Sequence, residues 1–211
     1  GRNFTYYRAG SAASRMSSIS SSRALLSRTA ILHLSAITQA ISIASTEPSF
    51  EAIDIVKKNG GRVSYDTNLR LNLWGLEEAR RVINKTLTQV DILLPSLDEA
   101  QILTGLDNTE DILNFYLQFE PEILALKCGI EGAIVICEGR KEYIPASNVN
   151  AIDTSGAGDT FAGAFLAQLI HGESPFKAAR FAVVASGISV QGYGAMAPIP
   201  NRKQVLRAME R

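Results

Sequence analysis

The sequence predicts an α/β fold, a mostly parallel central sheet flanked by helices and extended by a β-hairpin. Three observations predict it. Short β-rich runs alternate with amphipathic helical stretches, the pattern of a largely parallel sheet covered by helices. Glu138-Gly139-Arg140 stands between the runs Ala133 to Cys137 and Lys141 to Pro145, a hairpin signal that adds an antiparallel pair. Small residues dominate Gly156 to Ala167, where a helix packs closely on its neighbours.

Taken in order, Ile31-Leu32-His33-Leu34 predicts a strand, and Pro48 to Lys58 a helix that Gly60-Gly61 stops. Arg62 to Asp66 is the next strand, followed by a loop through Trp74, a helix from Leu76 to Thr88, and a strand from Asp91 to Leu94. Pro95 ends that strand and Ser96 opens a short helix. Asp107-Asn108-Thr109 is a capped entry to a helix from Glu110 to Phe119, because Asn and Thr side chains accept hydrogen bonds from the orphan amides of a first turn. Glu122 to Lys127 is a strand. After the hairpin, a strand ends near Ile152, a helix begins at about Ala157, another runs from Pro175 to Val190, and a last one starts at Arg202. The serine-rich stretch Ser17 to Ser22 reads as a helix-capping loop. Phe4 to Arg8 alternates like a strand with no partner before it, so the chain is expected to begin inside something larger, residues 1–10 being the remnant of a preceding strand.

The 211 residues suffice for one domain with a buried core. Lys plus Arg (21) balances Asp plus Glu (21), which points to neither a nucleic-acid nor a membrane partner. No stretch is apolar and long enough to span a bilayer, and the first residues do not read as a signal peptide. Cys128 and Cys137 have no metal-spaced neighbours and read as reduced thiols of a cytoplasmic protein. His33 and His171 read as structural or incidental.

Asp153-Thr154-Ser155-Gly156-Ala157-Gly158-Asp159-Thr160-Phe161 is the most informative segment. Glycines at a strand-to-helix turn offer backbone N–H groups, aided by the helix dipole, to an anion. A carboxylate inside such a site suits an attack on phosphate: Asp159 takes the proton of an attacking hydroxyl while the amides hold the developing charge. Tight helix packing is one competing reading. A dinucleotide fingerprint is another, but it belongs in the first βαβ unit with an acidic residue on the next strand, whereas here the next acid, Glu173, falls in a loop. No Gly-Lys-Ser or Gly-Lys-Thr occurs, so a phosphate site here is not of the Walker type.

The segment from Asp153 to Phe161 resembles the C-terminal signature of the PfkB, ribokinase-like carbohydrate kinases. The resemblance implies a ribokinase-like fold and ATP-dependent phosphorylation of a sugar hydroxyl. Asp159 would be the base, and the amides of Gly156, Ala157 and Gly158 the anion hole. Gly158 is expected to tolerate no branched side chain, in folding or in turnover. Lys127-Cys128-Gly129-Ile130-Glu131-Gly132 is similar to the family's Lys-x-Gly-x-x-Gly segment, which implies that Lys127, Gly129 and Gly132 border ATP. Ser96-Leu97-Asp98-Glu99 resembles Asn-x-x-Glu with Ser in place of Asn, and implies that Glu99 organises Mg²⁺ indirectly.

Tyr6-Tyr7-Arg8-Ala9-Gly10 and Asp66-Thr67-Asn68-Leu69-Arg70 look like the 2-keto-3-deoxygluconate kinases of that family. Tyr6 and Arg8 share a strand face, and Asp66 closes a strand whose C-terminal end should face the ligand crevice. An arginine binds a sugar carboxylate through two parallel charge-assisted hydrogen bonds, which suits Arg8 and Arg70 as substrate arginines; the resemblance also implies that Asn68 and Arg70 border ATP. The competing reading pairs both arginines with surface carboxylates. Fructokinases share part of Asp-x-Asn-x-Arg, so a neutral sugar stays open, and Tyr193 lacks the acidic neighbour expected for a sugar contact. Family members also carry an N-terminal β lid that shields the sugar and mediates homo-oligomers. That lid is expected to be missing or truncated here, which leaves a non-catalytic nucleotide-binding remnant as the rival reading.

Overall fold

The computed structural model describes residues 10–16 and 18–210. The expected strand at Phe4 to Arg8, with the substrate residues Tyr6 and Arg8, lies outside them. The chain forms two compact units, Gly1–Pro121 and Glu122–Arg211.

In the first unit the elements are α1 (Arg23–Leu26), β1 (Ile31–Ser35), α2 (Ala36–Ala40), α3 (Ile43–Lys58), β2 (Arg62–Asp66), α4 (Leu76–Leu87), β3 (Ile92–Leu93), α5 (Leu97–Thr104) and α6 (Thr109–Leu117). β1 and β2 run parallel, Ile31 opposite Arg62 and Ser35 opposite Asp66, and β2 continues parallel onto β3. β2 is the central strand, and Val63, Ser64, Tyr65 and Asp66 are all buried. Strands buried on both faces are the mark of a helix-covered parallel sheet. Tyr65 donates to Gln39 Oε1 (2.6 Å), and Gln39 Nε2 donates to Thr86 Oγ1 (2.9 Å) and Ser49 Oγ (3.2 Å), so these four buried polar side chains satisfy one another.

The helix expected from Pro48 begins five positions earlier. Ser42 and Ser45 form a reciprocal capping box that starts α3 at Ile43, leaving Pro48 inside it. Proline at a first turn is only a preference, and a strong cap upstream overrides it. α2 carries no sequence signal that was read, and β3 is shorter than its apolar run. The expected cap of α6 is present: Asn108 Oδ1 accepts from the amides of Glu110 and Asp111.

The second unit holds β4 (Ile123–Lys127), β5 (Gly132–Cys137), β6 (Arg140–Pro145), α7 (Ala157–Ile170), α8 (Pro175–Ser189) and α9 (Arg202–Met209). The expected hairpin is present. Glu138 (φ 51°) and Gly139 (φ 74°) both take the left-handed conformation that a two-residue hairpin turn requires. β4 also pairs antiparallel with β5, Lys127 opposite Ala133, so this unit has two antiparallel pairs where one was expected. Gly132, at the start of β5, lies close against β6: with φ 110°, a Cβ there would lie 2.1 Å from the Ile144 carbonyl oxygen. α7 packs on α8, and the alanines 162, 178, 179, 182 and 185 are buried. Phe165 is fully buried and stacks on Phe161, which contributes about 1.5–3 kcal/mol for the Phe165 side chain. Burial pushes the Cys128 thiol above its ordinary range, and burial with Glu138 and Glu122 does the same for Cys137, as expected of unreactive thiols. Among the described residues no helix is long and apolar enough to cross a membrane.

Candidate functional site

In the second unit the segment from Asp153 to Phe161 enters α7 from irregular backbone. No strand ends at Ile152. Instead Ile152 and Asp153 both donate their amides to the Val190 carbonyl at the end of α8 (2.8 and 3.1 Å), which fixes the approach to the turn without a ladder. Gly156 is the N-cap of α7, with φ 73° and no side-chain cap, whereas Asn108, Ser174 and Asn201 cap α6, α8 and α9. An α-helix leaves its first amides without intrahelical acceptors, and an uncapped end keeps them available to a ligand. Of the amides expected in the anion hole, that of Ala157 makes a long turn bond to the Thr154 carbonyl (3.3 Å).

Asp159 lies in this first turn with an exposed side chain. Lys127, at the end of β4, is buried, and a methyl group placed on Gly158 would stand 3.5 Å from its Nζ. A buried ammonium group and a helix N-terminus therefore meet at this turn, which also carries the carboxylate of Asp159; the first two can hold an oxyanion, and a carboxylate can take up a proton. Beside them opens a cavity of about 600 Å³, walled by Ile130, Val149, Ala157, Phe161 and Val190, with Lys127 at its polar end. Gly129 and Gly132, which the resemblance implies border ATP, also line it. The contribution of α8 and of the loop 146–151 to its wall was not read from the sequence. Their apolar residues there resemble ordinary core.

Sequence reasoning also missed the second role of Asp153. Its Oδ1 accepts the Ser155 amide (2.9 Å) and its Oδ2 the Gly194 amide (3.0 Å). It thus ties the glycine turn to the loop after α8, where a Cβ on Gly156 would meet the Cβ of Ala195 at 3.0 Å. Only the loop's folded position reveals this. Asp153→Ala is expected to lower stability by about 2 kcal/mol, the loss of hydrogen bonds to a charged acceptor, with Asp153→Asn less affected, read from urea unfolding midpoints. Tyr193, on the same loop, is exposed.

In the first unit the end of β2 and the start of α5 gather a second constellation. Asp66 is buried, and its Oδ1 accepts the Asn68 amide (3.1 Å). Asn68 has φ 24°, a conformation that costs a non-glycine residue roughly 1–3 kcal/mol and that clusters at functional sites. Arg70 Nη1 donates to Glu99 Oε1 (2.9 Å), and the Thr67 hydroxyl lies 3.5 Å from Glu99 Oε2. Arg70 and Glu99, expected in separate roles, are thus an ion pair. The Tyr116 hydroxyl of α6 is buried without a hydrogen-bond partner among the described residues. Burial holds its pKa above the ordinary tyrosine range, and the charges of Glu99 and Asp66 add to that.

Residues 1–202 match the family described as pfkB family carbohydrate kinase. The chain is 34% identical over 209 residues to a 2-dehydro-3-deoxygluconokinase of Thermoproteus tenax, covering 97% of this chain and 63% of that protein. It is 32% identical over 219 residues to Fructokinase-1 of Oryza sativa subsp. japonica, covering 99% of this chain and 67% of that one. The crystal structure of a fructokinase from Vibrio cholerae O395 in fructose, ADP and calcium ion bound form superimposes with a TM-score of 0.79 at 28% identity, over 84% of this chain and 59% of that one. The chain therefore spans between three-fifths and about two-thirds of the length of these relatives.

Proposed function

The chain belongs to the pfkB family of carbohydrate kinases, and from that premise we propose that it carries the nucleotide-binding and catalytic part of an ATP-dependent kinase acting on a sugar acid, 2-keto-3-deoxygluconate foremost. The observation that carries this reading is the turn where Asp159, the uncapped end of α7 and the Lys127 ammonium stand beside a cavity of about 600 Å³. The apolar wall suits a nucleobase, and pockets of this size bury a ligand of nucleoside dimensions. The sugar hydroxyl attacks the terminal phosphorus, the bond from that phosphorus to the bridging oxygen breaks, and ADP leaves. Asp159 accepts the hydroxyl proton, while the α7 amides and Lys127 hold the charge on the transferred group.

Mg²⁺ fits the residues present. This ion keeps several waters and takes one or two carboxylates plus substrate phosphates. Glu99, with Asp66 one residue before the Thr67 that reaches it, would offer that donor set, and among the described residues no cluster of three or more acidic, His or Cys side chains forms a protein cage for a metal. When bound with the nucleotide, the ion neutralises phosphate charge.

The sugar-acid assignment rests on Arg70, and with it on Arg8 from the sequence. The similarity to Fructokinase-1 of Oryza sativa supports a second reading, a neutral hexose. Removing a hydrogen bond to a charged group costs about 1.5–3 kcal/mol, so Arg70→Ala and Arg8→Ala are each expected to lower kcat/KM for 2-keto-3-deoxygluconate roughly ten- to a hundred-fold. The value for fructose, which has no carboxylate to lose, should change little. An ADP-release assay on both sugars decides the matter. A wild type that prefers fructose, or equal losses on both, removes the sugar acid and leaves the kinase. Absence of turnover on any sugar, with nucleotide binding retained, would favour the non-catalytic reading.

A further inference from the structure

We infer that Glu99 is a positioning residue that fixes the Arg70 guanidinium so that only its Nε–Nη2 edge can receive an oxyanion, a substrate carboxylate or a nucleotide phosphate. The inference rests on the kinase reading above for the identity of the anion. The arrangement itself is local to the first unit.

A guanidinium carries five N–H donors in a rigid plane, two on each Nη and one on Nε. Arg70 Nη1 donates once to the Leu69 carbonyl (2.7 Å) and once to Glu99 Oε1 (2.9 Å). Both of its protons are thereby used. Nε and Nη2 donate to no group among the described residues. Two edges of a guanidinium can form the parallel pair of bonds that carboxylates and phosphates accept, and here one of them is occupied. Glu99 has only 15% of its side chain exposed, so it is a fixed anchor, whereas Arg70 keeps 37% exposed and remains reachable. The anchor sits in the first turn of α5, with its second oxygen beside the buried Thr67. Asn68, two residues before Arg70, has φ 24°.

The charge of Glu99 opposes an arriving anion, while its hydrogen bond orients the group that binds it. The two effects have opposite signs and are separable. Gln keeps the acceptor and removes the charge, whereas Ala removes both.

The experiment is calorimetric titration in magnesium-free buffer with 2-keto-3-deoxygluconate, fructose and ADP, for wild type, Arg70→Ala, Glu99→Ala, Glu99→Gln and the Arg70→Ala/Glu99→Ala pair. Glu99→Ala is expected to weaken the oxyanion ligand about ten-fold, as Arg70→Ala does, with no further loss in the double variant. Glu99→Gln should bind it at least as tightly as wild type. Loss confined to the sugar acid identifies a carboxylate, loss confined to ADP a phosphate, and either supports the inference. Fructose should be indifferent to all four changes. Wild-type affinity for every ligand in Glu99→Ala, or additive losses in the double variant, overturns the positioning role and leaves the kinase reading intact. If wild type binds neither sugar nor nucleotide, the kinase reading falls and the inference with it. Glu99→Gln keeps the fold of α5 in play should the alanine variant be unstable.

Discussion

Asp159→Asn is expected to lower kcat for sugar phosphorylation by about 10²–10⁴-fold, the range a positioned general base supplies. Nucleotide affinity, measured by ADP titration, should be unchanged, because Asn is nearly isosteric and the loss falls on the chemical step. A bland role exists for this residue. An acid in the first turn of α7 interacts favourably with the helix dipole, worth about 0.3–1 kcal/mol. That role predicts a small fall in melting temperature and no fall in kcat. A variant that turns over at near wild-type rate would therefore reduce Asp159 to a helix-stabilising acid. The exposure of its side chain is compatible with proton transfer, since a base must reach a hydroxyl that arrives from outside.

How much of this was legible depends on the range of the forces involved. Caps and turns act within four residues, so the Asn108 cap and the Glu138-Gly139 turn could be read directly. The expected strand before the glycine turn failed because Ile152 reads as a β-former, while the backbone acceptor of Ile152 and Asp153 is Val190 at the end of α8, some forty residues on. The antiparallel pairing of β4 with β5 was not legible, because an apolar run is the same whichever way its neighbour runs.

The site divides in the same way. Asp159, Gly156 and Lys127 announce themselves through local pattern. Asp153 and the Arg70–Glu99 pair do not, since each is defined by a partner that folding brings from 29 or more positions away. The competing reading of Arg70, a pair with a surface carboxylate, proves half right. The carboxylate is there, but it is the half-buried Glu99, already singled out for another role, and it leaves one guanidinium edge open.

The two glycines of the turn are expected to fail in opposite ways, which corrects the expectation that Gly158 matters equally for folding and turnover. Gly156 adopts φ 73°, and a side chain there meets Ala195 at 3.0 Å. Gly156→Ala should therefore destabilise the protein by about 1–2 kcal/mol from the left-handed conformation alone, with the crowded loop adding to it. Gly158 has ordinary helical backbone, and the nearest atom to an added Cβ is Lys127 Nζ at 3.5 Å. Valine is a somewhat better helix former than glycine, so Gly158→Val should leave the unfolding midpoint nearly unchanged. Its branches, however, would occupy the space between the α7 amides and the Lys127 ammonium, where the proposed mechanism puts the transferred group. Displacing a reacting group by about 1 Å can cost 10²-fold, and a loss of kcat of at least about that size is expected. Urea unfolding and single-turnover phosphorylation on both variants check the pair. A Gly158→Val protein with near wild-type turnover would mean that no phosphoryl group passes this turn, and an unfolded one would mean that the space beside Lys127 belongs to the core.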